Sequence, residues 1–313
     1  MRPVRLTVPG NILLLGEYAV LEEGGLGLAM AVEARVRLEA FPATDLLIES
    51  TWPGSSFSWN PSRRGTSPLV EAVVDTVSEW LDCPVSAHVR IDSSAFFTSD
   101  GRKAGLGSSA AVSVALVCAL LRAAGQAALS AADVPGLALK AHRLAQGGRG
   151  SGYDVFTSFH GGSGIFRGGA SPAWEPRTLE GNPEVLLFPG PAPVSTAESV
   201  SRYFEWRGRN PGPARKFLLE SNSSILSFVK SGSPPDARKW LGACRELGIE
   251  LGRSIGVPAE LPIPAGLDPL WCKSLGAGNE LGLCLLARGA PPPADAPGVR
   301  LVRRAETGVA WEE

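Results

Sequence analysis

The sequence predicts an α+β protein built from two lobes. Three observations support this: alternating apolar and polar residues in the first 60 positions, helical apolar spacing in the middle of the chain, and a length of 313 residues. At about 150 residues per domain, this length allows two lobes. A segment rich in Gly, Ser and Pro at 168–176 marks the predicted boundary, so the lobes comprise residues 1–170 and 171–313.

The N-terminal half predicts strands first, followed by helices that alternate with a further strand. Apolar residues alternate with polar ones over 4–8 and 32–40, which is the pattern of half-buried strands. The spacing over 67–81 predicts a helix with Thr66 or Ser67 as its N-cap. The same criteria predict a strand over 85–91, a helix from the segment 105–109 to about residue 124, and a helix over 134–145.

The C-terminal half predicts a similar mixture of elements. A strand is expected over 184–188, and helices are expected over 214–229 and 236–251. A glycine-rich turn at 276–278 precedes an apolar strand over 281–287, and further strands complete the chain. We find no internal repeat.

The charge balance excludes a general binder of nucleic acid or of membrane surfaces. The chain has 30 basic and 31 acidic residues and a net charge of −1, whereas such binders are usually more basic. Its longest apolar stretch, 110–121, is too short to cross a bilayer. The five cysteines are odd in number, scattered and without a CxxC pair, which argues against disulfides or a zinc site. We therefore predict a cytoplasmic protein.

The segment KAGLGSSAA, residues 103–111, is the strongest local signal for chemistry. Glycines allow close backbone approach, and free N–H groups at the start of the following helix favour an anion such as a phosphate. The alternative is a glycine turn followed by a serine cap. A Rossmann motif does not fit because no strand runs directly into the glycines, and a Walker A motif does not fit because the chain has no Gly-Lys dipeptide.

Three further segments hold polar residues among glycines or apolar residues. Glu17 and Tyr18 lie in PGNILLLGEYAVL (9–21), where their polar groups need partners. Asp154 follows QGGRGSGY (146–153), from which an acid could orient or deprotonate a hydroxyl, although turn capping is the commoner role of such an Asp. The last segment is KSLGAGNE (273–280).

In this order, the four segments resemble the GHMP kinase superfamily over nearly the whole chain. Within it, the pattern is closest to the phosphomevalonate kinases, which act in isoprenoid precursor synthesis. PGNILLLGEYAV (9–20), KAGLGSSAAV (103–112) and AHRLAQGGRGSGYDV (141–155) are similar to their motifs, as is the Gly pair that follows at 161–162. Mevalonate kinases typically have GEH where this chain has GEY, and a magnesium-binding Glu where it has Arg143.

The resemblance implies an ATP-dependent kinase that uses Mg²⁺ and acts on a small anionic substrate in a cleft between the lobes, as a monomer or homodimer. Asp154 and Lys103 would be catalytic, and Ser108 would contact Mg²⁺. The residues that would bind ATP are Gly105, Leu106, Gly107, Ser108, Ser109 and Ala110. The residues that would bind the substrate are Asn11, Glu17, Tyr18, Arg149, Ser151, Gly152, Ser195, Thr196, Lys273, Gly276, Ala277 and Gly278.

Two departures from the family pattern leave alternatives open. Asn11 stands where the family usually has a lysine, and the third motif, GAGNELG (276–282), is shorter and has fewer glycines. A mevalonate kinase or another GHMP metabolite kinase is the alternative within the superfamily. A catalytically weak homologue that binds a nucleotide or metabolite is the alternative from another class. Lysines are scarce, and two of the six, Lys103 and Lys273, border the glycine-rich segments.

Overall fold

The computed structural model describes residues 3–98, 101–126, 130, 132–148, 150–179, 183–191, 194–231, 233–268, 271–290 and 298–312. The chain forms two compact units, each discontinuous in sequence. Unit 1 comprises Met1–Ile12, Met30–Gly162 and Ala305–Glu313, and unit 2 comprises Leu13–Ala29 and Ser163–Arg304. The sequence predicts two consecutive lobes. In the structure, unit 2 also includes Leu13–Ala29 from the N-terminal half, and unit 1 also includes Ala305–Glu313 from the C-terminal half.

The described residues form twelve strands and seven α-helices. The strands are β1 Val4–Leu15, β2 Leu26–Phe41, β3 Leu46–Trp52, β4 Ser55–Trp59, β5 Ala87–Asp92, β6 Ser163–Arg167, β7 Ala173–Pro176, β8 Glu184–Pro189, β9 Cys272–Leu275, β10 Leu281–Leu286, β11 Arg300–Val302 and β12 Ala310–Glu312. The helices are α1 Pro68–Leu81, α2 Ser108–Ala123, α3 Asp133–Ala145, α4 Tyr153–His160, α5 Thr196–Arg209, α6 Pro211–Val229 and α7 Pro234–Ile255.

In unit 1, helices pack on one face of a mixed sheet. The strand order is β12-β1-β2-β5-β3-β4, in which β3 and β5 run parallel while β2 and β5 run antiparallel. Val36, Leu38 and Val89 are fully or almost fully buried, whereas the alternate residues Arg37 and Arg90 are exposed. This period of two gives the sheet one apolar face. Helix α2 contacts the sheet at β5.

The polar face of this sheet borders an open depression of about 1120 Å³. Arg37, Glu49 and Arg90 are among the residues that line it, and the predicted site residues that the structure describes do not. The predicted site residues Ser108 and Asp154 lie instead in the first turns of α2 and α4. These two helices pack against each other.

Unit 2 contains an antiparallel sheet of order β11-β8-β10-β9 and the helices α5, α6 and α7. Tyr203 of α5 is fully buried in a cluster with Phe217 of α6 and with Leu251 and Ile255 of α7. Tyr18 belongs to the same cluster, so the core of this unit includes a residue of the first motif.

Most of the elements predicted from the sequence are confirmed, and two helices were not predicted. Helix α4 follows a glycine-rich segment and has only eight residues, and α5 is rich in charged side chains and has a low mean hydropathy. All five cysteines are free. No helix within the described ranges is both long and apolar enough to cross a membrane.

Candidate active site

The N-terminus of α2 presents backbone N–H groups that can bind an anion. Gly107 is the N-cap residue with φ 70°, and as a glycine it has no side chain to cap the helix. The first hydrogen bond of the helix runs from Ala111 N to Gly107 O, over 3.3 Å. The N–H groups of Ser108, Ser109 and Ala110 therefore have no acceptor within the helix, and the helix dipole adds to their attraction for a phosphate.

Asn11 holds the glycine turn in place from the neighbouring strand β1. Its backbone N–H donates to Leu106 O at 2.9 Å, and its Nδ2 donates to Gly107 O at 3.3 Å and to Ser158 Oγ at 3.0 Å. Asn11 is only 2% exposed, and its Oδ1 has no hydrogen-bond partner among the described residues. Because Ser158 belongs to α4, Asn11 connects the turn before α2 to the helix that carries Asp154.

Gly107→Ala is expected to destabilise the protein more than Gly101→Ala, the matched control. Both glycines have positive φ, 70° and 79°, which an alanine adopts at a cost of about 1 kcal/mol. A Cβ on Gly107 would lie 2.2 Å from Asn11 Nδ2, whereas a Cβ on Gly101 would have no atom of the described residues beyond its chain neighbours within 4 Å. Urea unfolding should therefore show a larger loss for Gly107→Ala, by about 1–3 kcal/mol. Equal losses in the two variants would contradict the close packing of Asn11 on the turn.

Lys103 and Ser108 lie near this turn with accessible side chains. Lys103 is exposed, and its backbone forms a β-bridge with Phe97. Ser108, the first residue of α2, is partly exposed. Arg149, another predicted ligand, lies outside the described residues. The predicted roles of Lys103 and Ser108 remain predictions.

Asp154 lies in the first turn of α4. Gly152, with φ 93°, is the N-cap, and a Cβ there would lie 2.4 Å from Leu139 Cδ1, so this turn requires glycine. Asp154 Oδ1 accepts a hydrogen bond from Val155 N at 2.9 Å, and Oδ2 lies 3.7 Å from His142 Nδ1. The side chain is 21% exposed. A carboxylate at a helix N-terminus is stabilised by the dipole and here remains accessible to a ligand.

Two residues of α3, His142 and Arg143, lie close to Asp154 or to the loop before it. Neither was assigned to the site from the sequence. His142 is buried, and its Nε2 lies 3.2 Å from both Ser109 Oγ and Gln146 Nε2. Arg143 donates to Gly150 O at 2.9 Å and to Ser151 O at 3.0 Å, which holds the glycine-rich loop before α4. Burial lowers the pKa of Arg143, and the nearby Asp154 carboxylate opposes that shift.

His142 lies within α3 and has no spacing to another histidine that would indicate a metal site. The signal that could have identified it is the spacing of His142 and Gln146, four residues apart, which places both side chains on one face of α3. That spacing does not reveal that Ser109 and Asp154 lie opposite this face, because both belong to other helices.

In unit 2, Lys273 and Glu17 form a buried ion pair. Lys273 Nζ donates to Glu17 Oε1 and, at 2.6 Å, to Ser274 O. The side chains of Lys273 and Glu17 are only 2% and 14% exposed. The lysine charge is therefore balanced within the protein, which favours a structural role for Lys273 over the predicted contact with substrate.

Tyr18 connects the first motif to the third motif within unit 2. Its hydroxyl donates to Ala277 O, and its ring packs against Tyr203 with centroids 5.2 Å apart. Burial raises the pKa of Tyr18 to about 12, so the phenol is a protonated donor at neutral pH. Its φ of 63° is unusual for a residue other than glycine and shows that the surrounding structure imposes this backbone conformation.

The remaining predicted substrate residues lie at the ends of elements. Ser195 is the N-cap of α5, where its Oγ accepts from Glu198 N at 3.3 Å, and Thr196 begins the helix. Both are exposed. Gly276 has φ 82° with no atom within 4 Å of an added Cβ, whereas Gly278 packs against Val194. Capping explains Ser195 without a ligand, and its predicted substrate contact remains a prediction.

Comparison with known proteins supports the resemblance drawn from the motifs. A family model described as the GHMP kinases N terminal domain matches residues 68–162. The chain is 31% identical over 251 residues to a mevalonate kinase of Archaeoglobus fulgidus, and the match covers 80% of this chain and 79% of that protein. The chain belongs to the GHMP kinase family.

A second relative and a solved structure extend this result. A phosphomevalonate kinase of Saccharolobus solfataricus is 32% identical over 161 residues, which cover 50% of this GHMP kinase and 47% of the relative, so the match spans about half of that protein. The structure of the Streptococcus pneumoniae phosphomevalonate kinase in complex with phosphomevalonate and AMPPNP matches with a TM-score of 0.72 at 19% identity, over 92% of this chain and 93% of that one. The predicted α+β GHMP kinase fold is confirmed.

The N-terminus of α2 in this GHMP kinase fits the phosphates of a nucleotide, because its free N–H groups, positive-φ glycines and exposed Lys103 all favour an anion. For a magnesium ion, the structure supplies fewer ligands. Within the described ranges, no group of three or more His, Cys, Asp or Glu side chains could hold a metal ion. Ser108 offers a hydroxyl oxygen, and magnesium commonly takes its other ligands from phosphates and water, so Ser108 fits this role.

Proposed function

We propose that this protein transfers the γ-phosphoryl group of ATP to a small anionic acceptor, and that the acceptor is phosphomevalonate. The observation that carries the proposal is the pairing, within unit 1, of an anion-binding helix N-terminus with a carboxylate, connected through the single buried side chain of His142. The GHMP kinase membership supports the reaction class, and the relative from S. solfataricus supports the acceptor.

Each part of unit 1 has a role in this proposal. The backbone of Gly105–Ala110 binds the phosphates of ATP, with the Ser108 hydroxyl and Lys103 ammonium as additional ligands. Mg²⁺, when bound, would neutralise charge on the phosphate oxygens. Asp154 lies at the acceptor oxygen and orients it. Such a reaction requires positioning and charge stabilisation more than covalent chemistry by the protein.

The absence of a lysine at position 11 is compatible with a phosphate acceptor. A phosphate monoester has a second pKa of about 6, so it is largely ionised near pH 7 and needs no strong base. An alcohol acceptor must instead lose a proton during transfer. Asn11 orients α4 through its hydrogen bond to Ser158, one turn after Asp154, and supplies no charge. This arrangement favours the phosphorylated acceptor over mevalonate.

Mevalonate is the second candidate acceptor, because the relative from A. fulgidus matches more of the chain than the relative from S. solfataricus does. The position of Arg143 favours phosphomevalonate over this candidate. Arg143 holds the loop at Gly150 and Ser151 and brings a positive charge close to Asp154, where the family resemblance places a magnesium-binding Glu in mevalonate kinases.

A panel of acceptors tests the proposal. ADP release should be measured with phosphomevalonate, mevalonate, homoserine and galactose, and ³¹P NMR should identify the product. We expect kcat/KM for phosphomevalonate to exceed that for each other acceptor by about 100-fold or more, because a site built for a charged group rejects analogues that lack it. Faster turnover of mevalonate would replace the acceptor assignment. Nucleotide binding without turnover of any acceptor would instead support the weak homologue and overturn the proposal.

A further inference from the structure

We infer that His142 is a positioning residue that couples the Asp154 carboxylate to the Ser109 hydroxyl at the start of α2. This inference deepens the proposed function and rests on it for the meaning of kcat. The sequence motifs assign no role to His142, and the family resemblance assigns functions only to the residues on either side of it in space.

The geometry places one buried ring between two helix N-termini. The His142 side chain is 3% exposed, and its Nδ1 lies 3.7 Å from Asp154 Oδ2 in the first turn of α4. Its Nε2 lies 3.2 Å from Ser109 Oγ in the first turn of α2. The Asp154 carboxylate and the Ser109 hydroxyl are therefore both next to this ring, and the surroundings of each depend on its orientation.

The partners of the ring determine where its proton lies. Gln146 Nε2, an amide donor, lies 3.2 Å from His142 Nε2, which favours the tautomer with its lone pair on Nε2. In the neutral ring the proton is then on Nδ1, which faces the Asp154 carboxylate. Ser109 Oγ lies 3.2 Å from the same Nε2, so the position of the ring also sets the surroundings of this hydroxyl. His142 thus faces the carboxylate with Nδ1 and contacts the hydroxyl with Nε2.

Arg143 and Asn11 hold the backbone on either side of His142 in place. Arg143 holds the carbonyl groups of Gly150 and Ser151 just before Asp154, and Asn11 connects Gly107 to Ser158. Because the loop before α4 and the turn before α2 are each held independently of His142, a change of this ring should alter the two side chains it contacts without displacing either helix.

Two conservative variants can separate the two ends of the ring. In His142→Asn, the side-chain amide replaces the Nδ1 end and loses the reach to Ser109. In His142→Gln, the longer amide replaces the Nε2 end and loses the donor that faces Asp154. His142→Leu removes both contacts and replaces the ring with an apolar side chain of similar size. The control is His88→Leu, which removes a histidine that contacts Glu49 on the open face of the sheet, at 2.6 Å.

The measurements are kcat with the acceptor that the panel identifies, the Kd of AMPPNP without acceptor, and urea unfolding. We expect His142→Asn to retain kcat within about threefold and to weaken AMPPNP binding about tenfold, because only the Ser109 end is lost. We expect His142→Gln to show the reverse: nearly unchanged AMPPNP binding and kcat lower by about 30-fold. His142→Leu should show both defects, and His88→Leu neither.

Parallel changes of kcat and Kd in the Asn and Gln variants, or changes that follow unfolding stability alone, would overturn the inference and leave the proposed function intact. If the wild-type protein turns over no acceptor, the proposed function fails. In that case, AMPPNP affinity still tests the Ser109 end, and equal affinities of the Asn and Gln variants would overturn the inference.

Discussion

Asp154→Asn is expected to lower kcat by about 1,000-fold, with the KM for ATP changed by less than about threefold. The substitution preserves the shape of the side chain and its acceptor oxygen for Val155 N, but it removes the charge that faces His142 Nδ1. Because the nucleotide would be bound by the backbone of α2, the loss should appear in turnover and not in nucleotide affinity. Steady-state kinetics with the preferred acceptor measure both quantities.

The matched control for this prediction is Asp75→Asn on α1 of the same unit. Asp75 forms an exposed ion pair with Arg64, so its loss should cost about 0–1 kcal/mol of stability and leave kcat unchanged. If Asp154→Asn retains kcat within about fivefold of the wild type, Asp154 serves as a cap of α4, and the chemical step must be assigned to other residues.

Lys273→Met is expected to lower the free energy of unfolding by about 3–5 kcal/mol, because it leaves the Glu17 carboxylate without its partner in a largely buried position. The Lys273 side chain is only 2% exposed, so water cannot readily replace the ammonium group. The double variant Lys273→Met/Glu17→Gln removes both charges and should recover about half or more of the loss. Urea unfolding of the two single variants and the double variant completes the cycle.

Lys140→Met supplies the control for this cycle. Lys140 forms an ion pair with Glu79 at 2.8 Å, and both side chains are at least half exposed. Breaking this pair should cost about 0–1 kcal/mol. If Lys273→Met costs no more than Lys140→Met but raises the KM for the acceptor more than tenfold, Lys273 binds substrate and the structural interpretation is wrong.

Local patterns in the sequence were sufficient for most of the fold. Alternation over 32–40 predicted a half-buried strand, and β2 indeed buries Val36 and Leu38 while it exposes Arg37. Helices α1, α2 and α3 were placed within one or two residues of their observed ends. Burial of one face produces a repeating apolar pattern, and that pattern is written directly in the order of residues.

Helices α4 and α5 were not predicted. Helix α4 has only eight residues and directly follows a glycine-rich segment, and Asp154 lies in its first turn. Its position depends on Gly152 packing against Leu139 of another helix and on Asn11 binding Ser158. These contacts join residues up to 147 positions apart, so no local window of sequence contains them.

Residue types at short spacing were sufficient to indicate the GHMP kinase family, the glycine-rich turn before α2 and the candidate carboxylate Asp154. Which side chains contact one another became known only from the folded structure. It placed Lys273 in a buried pair with Glu17, and it placed His142 between Asp154 and Ser109. Such contacts depend on how helices and strands pack, and packing is a property of the folded chain as a whole.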